Sequence, residues 1–177
     1  MSNTWSTYII KAHDDMIKSN DNRELGKIRA IAAEYVAMDW INEKSGINVE
    51  LGSNGHYSDK NGSSFDLFSL ENNTRIQVKY RGDKFHLETT RRLSDKNKGS
   101  QSKTGHVAYR IDECDIFVFV VPSPNSTNPM DSQFYAIPSK DLEDPKNPGC
   151  CIVNIPKKKV LSYKDKTIDI LKDTKNK

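Results

Sequence analysis

The sequence predicts an α/β (α+β) domain with a mixed central sheet, and three observations carry that expectation. Residues 23–44 hold apolar side chains nearly all round a helical period, which marks a buried helix. After Gly46 the period changes to two, as in half-buried strands. Ile116-Phe117-Val118-Phe119-Val120-Val121 is the longest unbroken apolar run, which suits a central strand covered on both faces. A helix, then three strands, then a buried strand is the order of a helix-flanked sheet.

In chain order, Trp5, Ile9, Ala12 and Met16 recur at spacings of 4, 3 and 4, predicting a short amphipathic helix over 4–18. Ser19-Asn20-Asp21-Asn22 breaks it, and Asp21 with Glu24 has the pattern of a capping box for the next helix. That helix carries a stripe of Leu25, Ile28, Ile31, Ala32, Tyr35 and Met38, with Ala30, Ala33, Ala37 and Ile41 on its reverse, and Gly46 supplies its stop. Residues 47–51 alternate as a strand, and 52–63 are a Gly/Asn/Ser loop. Strands over 64–70 and 74–80 are joined at Asn72-Asn73, two residues suited to positive φ. A further strand is expected over 85–88, a polar loop over 89–105, strands over 114–121 and 133–137, and a short turn of helix after Ser139. The chain reads as one domain over 1–177, with its core in 23–143 and a basic segment over 157–177.

Apolar residues make up 35% of the chain, so the core is expected to be thin under a large polar surface. No apolar run approaches the ~20 residues of a membrane span, and no basic-then-apolar leader opens the chain. The three cysteines, Cys114, Cys150 and Cys151, include no C-x-x-C, so neither a disulfide framework nor a zinc site is indicated and a cytoplasmic setting is expected. The net charge of +3 conceals an asymmetry. Residues 75–110 carry ten Lys/Arg against three acids, and 157–177 carry eight Lys against three Asp. The first stretch has the footprint of a nucleic-acid contact. The second reads as a solvated, mobile tail.

The chemistry concentrates at the 64–80 hairpin. With Asn72-Asn73 as a two-residue turn, Asp66 lies opposite Lys79 and Phe68 opposite Gln77. Asp66, Gln77 and Lys79 then share one face, while Phe65, Leu67, Ile76, Val78 and Tyr80 form a core face. A carboxylate and an amide oxygen are hard donors suited to Mg²⁺, for which Mn²⁺ can substitute. A neighbouring ammonium suits a water or a phosphate, so the set has the parts for metal-assisted phosphodiester hydrolysis. The bland alternative is a surface Asp66–Lys79 ion pair worth ~0–1 kcal/mol. Glu34 adds weight: its helical neighbours Ala30, Ile31, Ala37 and Met38 are apolar, and a buried carboxylate needs a partner. The alternative for Glu34 is an exposed flank, satisfied by Lys27 or water.

These residues resemble the PD-(D/E)XK nuclease superfamily, in its Q-x-K variant. The resemblance rests on Glu34 in the first long helix, Asp66 in Ser64-Phe65-Asp66-Leu67, and Gln77-Val78-Lys79, with ten residues between Asp66 and Gln77. It spans roughly residues 23–143 and implies a restriction-endonuclease-like αβββαβ core. It further implies that Asp66 and Gln77 ligate the metal, that Lys79 positions water or stabilises the phosphorus, and that Glu34 is an outer or second-metal ligand. Two features depart from the pattern. Gln77 stands where the family usually has an acid, and no amphipathic helix is legible between Lys79 and Cys114. The second core helix is therefore expected either to be replaced by the basic segment or to be short, near 106–112.

Arg81, Lys84, Arg91, Arg92, Lys96, Lys98, Lys103 and Arg110 follow the site strand and are the candidate DNA contacts, most of them to phosphate. Asn54, His56 and Tyr57 in the loop before Asp66 are placed to reach a groove. His13, His56, His86 and His106 lack metal-binding spacing. The expected function is a Mg²⁺-dependent endonuclease on double-stranded DNA, of the small type II restriction kind, acting as a homodimer with one site per subunit. The alternatives are a repair, resolvase or intron-encoded nuclease of the same fold, a non-catalytic DNA-binding module, or an interaction protein with no nucleic-acid role.

Overall fold

The structure is a computed structural model that describes residues 4–18, 28–52, 65–89 and 107–173. In chain order it contains α1 (Trp5–Lys18), α2 (Ile28–Ser45), β1 (Glu50–Leu51), β2 (Leu67–Ser69), β3 (Thr74–Tyr80), β4 (Phe85–His86), β5 (Glu88–Thr89) and β6 (Val107–Ala108). There follow β7 (Ile116–Val121), β8 (Gln133–Pro138), β9 (Glu143–Asp144), β10 (Asn147–Cys151), β11 (Asn154–Ile155), α3 (Lys157–Leu161) and α4 (Thr167–Asp173). Five strands form one mixed sheet in the order β1-β2-β3-β7-β8. Only the β3–β7 pair is parallel, so the fold is α+β with a mixed central sheet. β7 lies between β3 and β8, and its residues Ile116 to Val120 are buried, as its unbroken apolar run predicts.

The sheet separates two apolar clusters. Ile76, Val78, Ile116, Val118, Val120, Phe134 and Ala136 face α1, α2 and α4. Phe117, Phe119, Tyr135 and Ile137 face the opposite way, onto Phe85, Leu87, Tyr109, Cys114, Leu142, Cys151, Ile155 and Val160. Period-two alternation along β3, β7 and β8 makes this division. α2 lies between α1 and the sheet, which explains its lack of a single polar face. Its deeply buried residues include Ala33, Val36, Ala37 and Ile41, so part of the expected reverse face is in fact the inner one, while Ala30 is exposed. Small residues there let the helix approach the strands closely. α2 stops at Gly46, whose φ of 68° is the left-handed geometry expected of a C-terminal glycine. Leu25, the capping box Asp21–Glu24 and the helix start lie outside the described residues, as do 53–64.

Several strand boundaries differ from the sequence expectation, for local reasons. Ile47 and Val49 are buried as alternation predicts, but the ladder starts only at Glu50. The Asn42 side chain takes the place of a strand partner, accepting from Val49 N at 2.8 Å and donating to Val49 O at 3.2 Å. The hairpin turn is longer than two residues. Ser69 pairs with Thr74, only Asn73 of the two asparagines has positive φ (56°), and Asn72 Oδ1 accepts from Thr74 N. The register therefore shifts by two: Phe68 faces Arg75 rather than Gln77, and Asp66 falls beside Gln77 rather than Lys79. A shift of two preserves the faces, whereas a shift of one would have inverted them. Phe65 does not join the core face of Leu67, because β2 begins only at Leu67 and Phe65 packs with the other cluster. The strand expected over 85–88 divides into β4 and β5.

Residues 107–113 contain a strand and a turn, so no short helix occupies 107–112. The last described segment is also not a loose tail. Val160 of α3 is buried in one cluster and Leu171 of α4 in the other, so the chain wraps the β8 edge of the sheet. At that edge the Thr167 hydroxyl accepts from Ala136 N and donates to Phe134 O, each at 3.1 Å. This satisfies backbone groups that an edge strand otherwise leaves unpaired. Among the described residues, no helix is long and apolar enough to cross a membrane.

Candidate active site

β2 begins one residue after Asp66, and that start creates the site. Asp66 N still donates to Ile76 O at 2.8 Å, and Asp66 O accepts from Gly52 N at 2.8 Å. The chain crosses Gly52 so closely that a Cβ there would lie 2.9 Å from the Phe65 ring. The next donor on β3, Val78 N, lies past the start of β2 at Leu67. It donates to Asp66 Oδ2 at 2.7 Å, so a side-chain carboxylate satisfies this buried backbone N–H. The same oxygen accepts from Gln77 Nε2. Thus Asp66 and Gln77 stand side by side, and their geometry has a structural cause in the Val78 N–H that the carboxylate satisfies.

Gln77 is paired with Phe117 and Lys79 with Phe119 across the parallel ladder. Paired residues share a face, so both side chains project into the second cluster's side of the sheet. Gln77 is 5% exposed, unusual for an amide, and its hydrogen bond to Asp66 accounts for its tolerance there. Lys79 is half-buried and donates to Tyr109 Oη at 2.7 Å. Its Nζ lies 4.6 Å from the centroid of the same ring. Tyr109 is 6% exposed and packs edge-on against Phe117, so the lysine is held by a fixed partner. Cys114 is close enough to feel both charges: Lys79 lowers its pKa while Asp66 raises it. Burial dominates, pushing that thiol up to about 12, with the Ser139 hydroxyl 3.4 Å away opposing the shift. Asp66, Gln77, Lys79, Tyr109, Cys114 and Ser139 are therefore one neighbourhood.

The other predicted residues fall elsewhere. Glu34 is half-buried on α2, the helix that covers the Ile76–Val78 face, so it belongs to the opposite layer from Gln77 and Lys79. It is engaged rather than without a partner. Arg81 is turned onto the backbone: Nη1 donates to Tyr80 O at 2.8 Å, and Nη2 and Nε donate to His86 O at 2.8 and 3.2 Å. Burial lowers its pKa, with nearby Tyr109 opposing that shift. Lys84 is exposed, and Arg110 is exposed but paired with Asp112 at 2.9 Å. Arg91, Arg92, Lys96, Lys98 and Lys103 lie outside the described residues, with Asn54, His56, Tyr57 and His106. Tyr109 was not singled out in the sequence. Its only local signal is an aromatic residue at the end of the basic stretch, and its contact with Lys79 spans 30 residues.

Among the described residues no group of three or more His, Cys, Asp or Glu side chains gathers as a metal cluster. The Asp66–Gln77 pair nevertheless fits a hard cation, because it joins a carboxylate to an amide whose oxygen is the same kind of donor. The arrangement carries one negative charge fewer than a two-acid pair would. Cys114, Cys150 and Cys151 are free and buried, and burial also pushes the Cys151 thiol up to about 12. Neither a protein-family model nor a curated protein matches this chain.

Proposed function

We propose that the chain is a metal-dependent endonuclease on double-stranded DNA, of the PD-(D/E)XK type that its motif resembles. The supporting observation is the convergence of Asp66, Gln77 and Lys79 on one face, where β2 begins beside β3. Asp66 and Gln77 would hold Mg²⁺ or Mn²⁺. Such an ion, when bound, polarises a phosphoryl oxygen and lowers the pKa of a water. Lys79 places a positive charge two residues beyond Gln77 on the same strand face, suited to a phosphate oxygen or a water. Tyr109 fixes that ammonium, so little reorganisation is needed when substrate arrives. The resemblance also implies Glu34 as an outer acid, but α2 holds it in the layer opposite Gln77 and Lys79, so its role is tested apart from theirs. Two sites are needed to cut both strands, which favours a homodimer of the type II restriction kind; a repair, resolvase or intron-type enzyme has the same chemistry.

Incubating the protein with plasmid at low salt, with Mg²⁺ and with Mn²⁺, tests this directly: nicked and linear products are expected. Plasmid that stays intact with both ions sinks the enzyme reading. If Asp66→Ala and Lys79→Ala each cut like the wild type, the site is misassigned. Glu34→Ala tests the outer acid separately. A second reading, a DNA-binding module without catalysis, draws on a specific observation. Asp66 and Lys79 already find partners within the protein, in Gln77, Val78 and Tyr109. It predicts retained duplex binding with no cleavage in either metal.

A further inference from the structure

Folding brings a second basic surface onto the layer that Gln77 and Lys79 face, from a part of the chain that reads as a solvated tail. β11 pairs with β4, placing Ile155 opposite Phe85 and Asn154 opposite His86. Lys84 immediately precedes that pair on one strand, and Lys157, Lys158 and Lys159 follow it closely on the other. Lys157 Nζ lies 3.8 Å from Asp83 Oδ1, across the two segments that the β4–β11 ladder joins. Phe85 packs edge-on to Phe119 at 5.5 Å between centroids, and Phe119 is the ladder partner of Lys79. Val160 anchors α3 in the same cluster, so these lysines belong to the layer that Gln77 and Lys79 face.

We propose that Lys84, Lys157, Lys158 and Lys159 form a phosphate-backbone contact surface for duplex DNA entering the Asp66–Gln77–Lys79 site. This rests on the nuclease reading above. Lys84, Lys157 and Lys158 are exposed and Lys159 is half-buried. Among the described residues, Asp83 is the acid within ion-pair distance of the group, and its carboxylate is almost fully exposed, so it neutralises little. From Lys157 to Lys166 there are five lysines against one aspartate, a net +4. Lys157, Lys158 and Lys159 are consecutive with no acid among them, a concentration of like charge that a polyanion neutralises. Lysine on a flexible stem suits phosphate, a contact that adds affinity without reading sequence.

The test measures binding separately from cutting. Anisotropy of a labelled mixed-sequence duplex, with Ca²⁺ in place of Mg²⁺, gives the dependence of log Kd on log salt. Replacing Lys157, Lys158 and Lys159 by Gln should reduce that slope by about 2–3, near 0.9 per lost phosphate contact. Lys158→Gln alone should reduce it by about 1. Lys172→Gln, on α4 in the opposite layer, should leave it unchanged. Melting curves of the variants check that the fold is kept. If the wild type binds and cuts but the triple variant keeps the full slope, the surface is refuted and the nuclease reading stands. If the slope falls as expected but no cleavage occurs in Mg²⁺ or Mn²⁺, the surface stands and the nuclease reading falls. If the duplex does not bind at low salt, or phosphatidylserine vesicles bind and duplex does not, the surface is refuted.

Discussion

Asp66 offers a perturbation in which structure and chemistry separate. Its Oδ2 accepts from Val78 N and from Gln77 Nε2, and Val78 is 5% exposed. Replacing Asp66 by Ala strands a buried backbone N–H, a loss of ~1–3 kcal/mol, and removes the amide bond, worth ~0.5–1.5 kcal/mol. The expected destabilisation is ~2–4 kcal/mol. In a chain of this size that lowers Tm by roughly 5–15 °C. Asp66→Asn retains an oxygen for Val78 N and gives up mainly the negative charge, so its loss should be near ~1 kcal/mol, or roughly 2–4 °C. Cleavage, by contrast, should fall by at least ~100-fold in both variants, because each removes the carboxylate. Thermal unfolding by circular dichroism and plasmid cleavage well below both melting points make the comparison. If Asn melts as low as Ala, the Asp66 side-chain oxygen is not what satisfies Val78 N. If Asn is stable and cuts like the wild type, Asp66 has only its structural role.

Tyr109→Phe keeps the ring packed on Phe117 but removes the acceptor 2.7 Å from Lys79 Nζ; kcat should fall ~10-fold or more with KM little changed, and an unchanged kcat would exclude a positioning role. Thr167→Val should destabilise by ~1–3 kcal/mol by stranding Ala136 N at the β8 edge, which chemical denaturation measures. Gly46→Ala meets no neighbouring atom within 4 Å, so its loss of ~1–2 kcal/mol is expected to come from φ alone and to appear in the same assay. The Cys114 and Cys151 thiols ionise near 9.0 when unfolded but only at about 12 when folded. Over that window the unfolded chain binds fewer protons, so stability should fall as pH rises from about 9.0 towards 12. Denaturation midpoints across the window check the sign, and native thiols should resist alkylation at neutral pH.

The hairpin shows how far periodicity carries and where it ends. The grouping of Gln77 with Lys79, and of both with Asp66, follows from a period of two and survives the register shift of two. The register itself depended on the turn, where Asn73 alone takes the left-handed conformation and four residues are used instead of two. The buried β7 was legible because six consecutive apolar residues are stable only between two covered faces. α2 was legible as buried but not as to which side is innermost, since that depends on α1 and the sheet competing for it. The second core helix that the resemblance implies has no counterpart in residues 107–113.

Local residue order therefore settles what each segment is: the periods, the stop at Gly46, the central strand and the shared face of Gln77 and Lys79. Those properties depend on neighbours a few residues away, along one chain direction. Which segments meet is a different matter. Tyr109 under Lys79, the Asp66 carboxylate on Val78 N, and Lys157 beside Asp83 each join residues separated by 12 to 74 positions. No propensity encodes such pairs. They arise because burying both faces of one sheet leaves few ways to close the chain around it, and the lysine-rich end of the sequence packs on the layer that Gln77 and Lys79 face only when that closure is made.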